Sequence, residues 1–193
     1  MSDLRSELDL IIKKHRDAVE NSFSPVQINQ LAQIAREFTR CLKAGHKLLF
    51  CGNGGSAADS QHIAAEFVGR FKINRPGLPA LALTTDTSIL TAVANDFGYD
   101  TIFSRQVEAL GNNGDILIGL STSGMSASVL QAVSKASEKG LTTIGFCGIR
   151  GGDLKKTADI SFVAQHEETS HVQEIHMVAL HAISEVVEKT FFG

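Results

Sequence analysis

Five short apolar runs, separated by segments with helical spacing, hold this chain to an alternating α/β architecture. The runs lie at residues 47–51, 80–83, 115–120, 142–146 and 159–163. Each has the length and apolarity of a strand buried on both faces, as in a parallel sheet. Helix-like segments lie between them at 57–71, 88–94, 102–109 and 126–139, and a final helix is expected over 172–189. Strand, helix, strand in succession implies right-handed crossovers. The expected fold is a three-layer α/β/α sandwich around a five-stranded parallel sheet.

Two further helices should precede the sheet. Leu4, Leu8, Ile11 and Ile12 recur at helical spacing, Ser24-Pro25 breaks the chain, and Ile28, Leu31, Ile34, Ala35 and Phe38 resume the pattern up to Gly45. Residues 1–193 thus read as one domain, with helices over 1–45 and an α/β core over 46–193. The apolar faces of the opening helices need cover, either from their own sheet or from another copy of the chain.

Composition removes several function classes. The chain has 43% hydrophobic and 20% charged residues, so it is neither disordered nor fibrous. No apolar run approaches the ~18 residues of a membrane span, and the mixed charges of the N-terminus do not resemble a secretory signal. The expectation is a cytoplasmic protein without a membrane partner. A net charge of -3, no Trp and a single Tyr argue against nucleic acid as a partner. Three cysteines, Cys41, Cys51 and Cys147, are too few and too scattered for a disulfide framework or a four-thiolate zinc site.

Chemistry concentrates at two strand-to-helix junctions. Cys51-Gly52-Asn53-Gly54-Gly55-Ser56 leaves a buried strand through a glycine-rich turn, which sets free amides beside a positive helix end. It fits the loose dinucleotide pattern, but no acidic ribose ligand follows at the required distance of about twenty residues. Ser121-Thr122-Ser123-Gly124-Met125-Ser126 forms a second junction, rich in hydroxyls. Ligands of open parallel sheets sit beyond the carboxyl ends of the strands, so both loops can face one crevice, with hydroxyls on a phosphate and Asn53 on sugar hydroxyls. Ordinary N-capping is the competing explanation of each serine.

Histidines supply the third signal. His62 and Glu66 are four apart and share a helix face, suited to a metal, to acid–base work or to a simple hydrogen bond. His166, His171, His176 and His181 fall in one short stretch. His166 and His171 are five apart, which is not the four of a zinc-protease helix. His176 and His181, also five apart, face different sides of the last helix, so at most one of them enters a site. Ser170-x-x-Gln173 has the form of a capping box opening that helix.

Taken in order, Cys51 to Ser56, His62 to Phe71, Asn74-Arg-Pro-Gly-Leu-Pro79, Asn95-Asp96-Phe-Gly98, Phe103-Ser104-Arg105, Ser121 to Gly124 and Gln173-Glu-Ile-His176 with His181 resemble the phosphoheptose isomerases of the SIS-domain class over nearly the whole chain. The resemblance implies a flavodoxin-like SIS fold. It also implies isomerisation of sedoheptulose 7-phosphate to D-glycero-D-manno-heptose 7-phosphate, which opens bacterial heptose synthesis for lipopolysaccharide. It further implies a homotetramer with sites at subunit interfaces, and one zinc ion per subunit matched to His62, Glu66, Gln173 and His181. Substrate contacts map to Asn53, Gly54, Gly55, Ser56, Glu66, Asn95, Asp96, Ser121, Thr122, Ser123, Ser126 and Gln173, with Arg70 as a further phosphate contact. The chemistry needs one base and one acid around a cis-enediol, and Glu66 as base and His181 as acid fill those roles. Met125 stands where the family commonly has Asn, and His171 where it commonly has Arg.

The fold and length also resemble a non-catalytic family that binds the replication initiator DnaA (DiaA-like), and a phosphosugar-sensing module could use the same loops. The DnaA-binding pattern lacks the carboxylate at position 66 and the histidine at position 181. This chain has both, which favours the isomerase.

Overall fold

The computed structural model describes residues 3–193. Helices α1 (Leu4–Ser22) and α2 (Pro25–Lys43) precede β1 (Leu48–Gly52), followed by α3 (Gly55–Val68), β2 (Ala80–Ala82), α4 (Thr87–Phe97) and α5 (Ile102–Leu110). Then come β3 (Ile116–Ser121), α6 (Ala127–Glu138), β4 (Thr142–Cys147), the short α7 (Leu154–Thr157), β5 (Ile160–Val163) and α8 (Thr169–Phe192). All pairings are parallel, in the order β2-β1-β3-β4-β5. Every expected strand is present, within about a residue at each end.

The strand period of two divides the core. Leu48, Phe50, Ile116, Ile118, Ile144 and Phe146 face α2, α3 and α8, whereas Leu49, Cys51, Leu117 and Cys147 face α5, α6 and α7. This is the expected three-layer sandwich. The three cysteines are buried and unpaired, and burial pushes their thiols up to about 12 for Cys41 and Cys51 and about 11 for Cys147.

The two opening helices differ in how far their apolar faces are covered. α2 buries Leu31, Ile34, Ala35 and Phe38 against its own sheet layer. α1 buries only Ala18 and Ser22, and leaves Leu4, Leu8, Ile11 and Ile12 between 50% and 75% exposed. None of the helices among the described residues is long and apolar enough to cross a membrane.

Candidate active site

The chain leaves β1 toward β2 on one side and re-enters as β3 on the other, so the sheet changes winding direction between β1 and β3. Gly52 at the end of β1 pairs with Leu120 near the end of β3, which sets the two junction loops side by side. Asn53 Nδ2 donates to Ser128 Oγ across them at 2.9 Å. The glycine loop and the hydroxyl loop therefore adjoin at the switch point.

Backbone geometry shapes its floor. Gly54 caps α3 with φ +56, a conformation that favours glycine. A Cβ on Gly55 would lie 2.5 Å from Gln173 Nε2, so the absent side chain admits the Gln173 amide to the mouth of the loop. Gln173 does not open α8: the helix begins at Thr169, and its N-cap Glu168 makes no side-chain capping bond. The capping-box reading of Ser170 and Gln173 is thereby corrected, and the glutamine side chain is directed at the glycine loop instead. The N-capping explanation of Ser126 is corrected as well. It occupies the N-cap of α6 without a capping bond, and its hydroxyl accepts from Ser121 Oγ at 3.0 Å.

Ser123 Oγ accepts from the Met125 amide at 3.1 Å, and the loop rests on Gly151 and Gly152, whose backbone leaves no room for a side chain at Gly124. Thr122 and Ser123 line a cleft of about 350 Å³ with Ile149, Arg150 and residues 166–169. A larger cavity of about 450 Å³ between α4 and α5 contains none of the site residues. Asn95 and Asp96 sit exposed on α4, joined by a 2.8 Å hydrogen bond. Tyr99, the single tyrosine, donates its hydroxyl to Asn53 Oδ1 at 2.9 Å, so the Asn53 amide is held at both ends.

Farther along α3, His62 Nε2 lies 2.9 Å from His181 Nε2 and 3.3 Å from Glu66 Oε1. The three ligand atoms fall within 4.8 Å of one another. Two imidazoles and a carboxylate are a donor set that suits zinc, so these residues fit the implied ion. Within the same chain the Gln173 amide lies against Gly55, roughly 10 Å of helix before His62. His181 stacks on Phe71 at 5.6 Å between ring centroids. Burial, then the neighbouring His62, lower its pKa against the pull of Glu66. His176 faces the core, as the spacing requires: it is buried, bonds the Cys147 carbonyl at 3.2 Å, and burial lowers its pKa to about 4.

The end of α3 is fixed by a clamp. Arg75 donates to the carbonyls of Glu66 (2.7 Å) and Phe67 (2.8 Å), while its Nε bonds Glu188 Oε1 at 2.9 Å. Glu188 also accepts from the amides of Phe71, Lys72 and Ile73. Burial opposes its charge, but these amides and Arg75 hold the carboxyl down to about 2. The helix stops at Val68, three residues before the expected end, because Arg75 takes its last carbonyls. Arg70 lies exposed beyond that end, away from the serine loop. Asp59, also missed in the sequence, has a buried Oδ2 without a partner among the described residues, and burial raises its pKa to about 6 despite His62.

A doubly wound parallel sheet with a glycine loop and a hydroxyl loop at its switch point defines a class of α/β proteins that take anionic ligands at the sheet edge. Residues 14–148 match the family model described as SIS domain, and the chain belongs to that family. Within it the chain falls among the phosphoheptose isomerases, a family of isomerases. It is 52% identical to the phosphoheptose isomerase of Akkermansia muciniphila over 84% of this chain and 86% of that protein. It is 47% identical to that of Geobacter metallireducens over 98% of this chain and 100% of that protein. The solved structure of phosphoheptose isomerase GmhA from Neisseria gonorrhoeae superposes with a TM-score of 0.91 at 38% identity, over 97% of this chain and 100% of that one.

Proposed function

We propose that this chain converts sedoheptulose 7-phosphate to D-glycero-D-manno-heptose 7-phosphate in the cytoplasm, as the entry to heptose synthesis for lipopolysaccharide. The observation that carries the reading is the convergence of His62, Glu66 and His181, because loops for a phosphosugar serve binding alone, whereas moving a carbonyl needs a base and an acid together. That convergence also counts against the non-catalytic and sensing alternatives.

In this reading Gly54, Gly55, Ser56, Ser121, Thr122, Ser123 and Ser126 receive the phosphate, and Asn53, Asn95, Asp96 and Gln173 orient the sugar hydroxyls. Glu66 removes the proton from C1, and His181 gives an N–H to the carbonyl oxygen at C2 as negative charge builds there. The cis-enediol then takes a proton back at C2 from Glu66 and gives its O1 hydroxyl proton to His181, which leaves the aldose. A zinc ion, one per subunit, would be held by His62, Glu66 and His181 and would supply a Lewis acid for the carbonyl.

One chain separates these parts, since eleven residues of α3, or roughly 16 Å, lie between Gly55 and Glu66. An extended seven-carbon sugar phosphate does not bridge that gap. We therefore place the crevice of one subunit against Glu66, His181 and Arg70 of a neighbour within a homotetramer, with the exposed apolar face of α1 as part of the contact. The test is NMR of the sugar signals during incubation with sedoheptulose 7-phosphate, with added zinc and with chelator. Appearance of the aldose heptose supports the reading. Sugar binding without conversion in either arm replaces it with a non-catalytic one.

A further inference from the structure

A second group of imidazoles and carboxylates lies where α1 meets the start of α8, apart from the His62 cluster. His15 Nδ1 is 3.2 Å from His171 Nδ1 and 2.8 Å from Glu174 Oε2, and His171 Nδ1 is 3.6 Å from that same oxygen. The circle through these three atoms has a radius of about 1.9 Å, so zinc at its usual bond lengths of ~2.0–2.2 Å sits just above their plane and reaches all three.

The surroundings select the right form of the ligands. His171 Nε2 faces Glu168 Oε2 at 3.5 Å, and a proton held on that side leaves the Nδ1 lone pair directed at His15 and Glu174. The His171 ring is fixed: it is 5% exposed and meets His166 edge-on at 4.7 Å. Glu174 and the partly exposed His15 leave the opposite side open to solvent, where water can complete a tetrahedral shell. Hydrogen bonds alone serve this arrangement poorly, since two facing nitrogens and one carboxylate oxygen share at most two protons.

We propose that His15, His171 and Glu174 form a second divalent-cation site, suited to zinc, that ties α1 to α8. Its role is structural. α1 is otherwise anchored by buried Ala18, by Ser22, whose hydroxyl accepts from the Gln165 amide at 2.7 Å, and by an exposed ion pair of Lys14 with Glu168 at 3.9 Å. An ion at His15 would add a firm tie about one helical turn before Ala18, where an exposed ion pair contributes little. It also steadies the start of α8, where Thr169 lines the cleft and Gln173 meets the glycine loop.

The test is zinc titration of metal-free protein by equilibrium dialysis, with thermal melting as a second readout, in the His62→Ala/His181→Ala background that removes the other cluster. About one zinc per chain is expected there, with a higher Tm when zinc is added. Adding His15→Ala should weaken binding by at least the ~10–100-fold that an outer-shell partner costs, and should abolish the Tm shift. Should the background variant fail to fold, His15→Ala in the native chain must lower the zinc content by one per chain. Absence of zinc binding in the folded background variant, or unchanged affinity and content in His15→Ala, overturns the proposal. Neither result bears on the isomerase reading.

Discussion

Replacing Glu188 by Gln should unfasten the end of α3 and cost a large part of the protein's stability. Each carboxylate oxygen serves two donors: Oε1 accepts from the Phe71 amide and Arg75 Nε, and Oε2 from the amides of Lys72 and Ile73. Whichever way a glutamine amide turns, its NH2 meets two of those donors. The Arg75 side chain, 2% exposed, is then left buried without a counter-charge. Breaking a buried pair by removing one partner costs about 3–5 kcal/mol, out of a total of roughly 5–15 kcal/mol. With a urea m value near ~2 kcal/mol/M, the unfolding midpoint should fall by about 2 M. Circular dichroism at one fixed protein concentration reads this directly, the fixed concentration keeping any contribution of assembly constant. The loop carries Phe71, which stacks on His181, so turnover should fall as well. A midpoint shift below about 0.5 M would refute the clamp as the device that ends α3.

Other consequences follow from the same geometry. Gly55→Ala places a Cβ against the flexible end of Gln173, so the fold should persist while kcat/KM falls by roughly tenfold or more; a Tm within a few degrees of wild type beside that loss is the expected pair of results. Tyr99→Phe removes one hydrogen bond to Asn53, worth about 1 kcal/mol, and should raise KM severalfold with kcat little changed. The raised pKa of Asp59 means that the folded chain binds a proton the unfolded chain releases, so its contribution is complete below pH 3.8 and is lost as pH rises through about 6. Asp59→Asn should therefore stabilise the protein above pH 6, by about 1 kcal/mol after screening at this partly exposed site, and leave stability at pH 4 nearly unchanged, as paired urea titrations at the two pH values would measure.

The sheet was legible because β1 and β3 are buried at every position, so their sequences are unbroken apolar runs. Short α7, four residues with two lysines, offers no periodicity to read. Within the site, the i, i+4 spacing placed His62 beside Glu66, and the five-residue spacing separated His176 from His181. The meeting of His62 with His181 arises from the packing of α3 on α8 and carries no local signal. The offset of Gln173 from Ser170 fits a capping box, whereas α8 starts two residues earlier than that box requires and the side chain answers to Gly55. Tyr99, Arg75, Glu188 and the meeting of His15 with His171 are likewise products of tertiary contact. His15 and His171 are 156 residues apart, so no spacing rule could have joined them.

The most direct test of the proposed chemistry is the fate of the migrating proton. Incubated in D2O with sedoheptulose 7-phosphate, the wild-type protein should yield an aldose heptose 7-phosphate with deuterium at C2, because a partly exposed Glu66 exchanges its proton with solvent before returning it. Glu66→Gln should still bind the sugar phosphate and yield no product on the same timescale. Product formed without deuterium at C2, or formed at an undiminished rate by Glu66→Gln, would contradict the account.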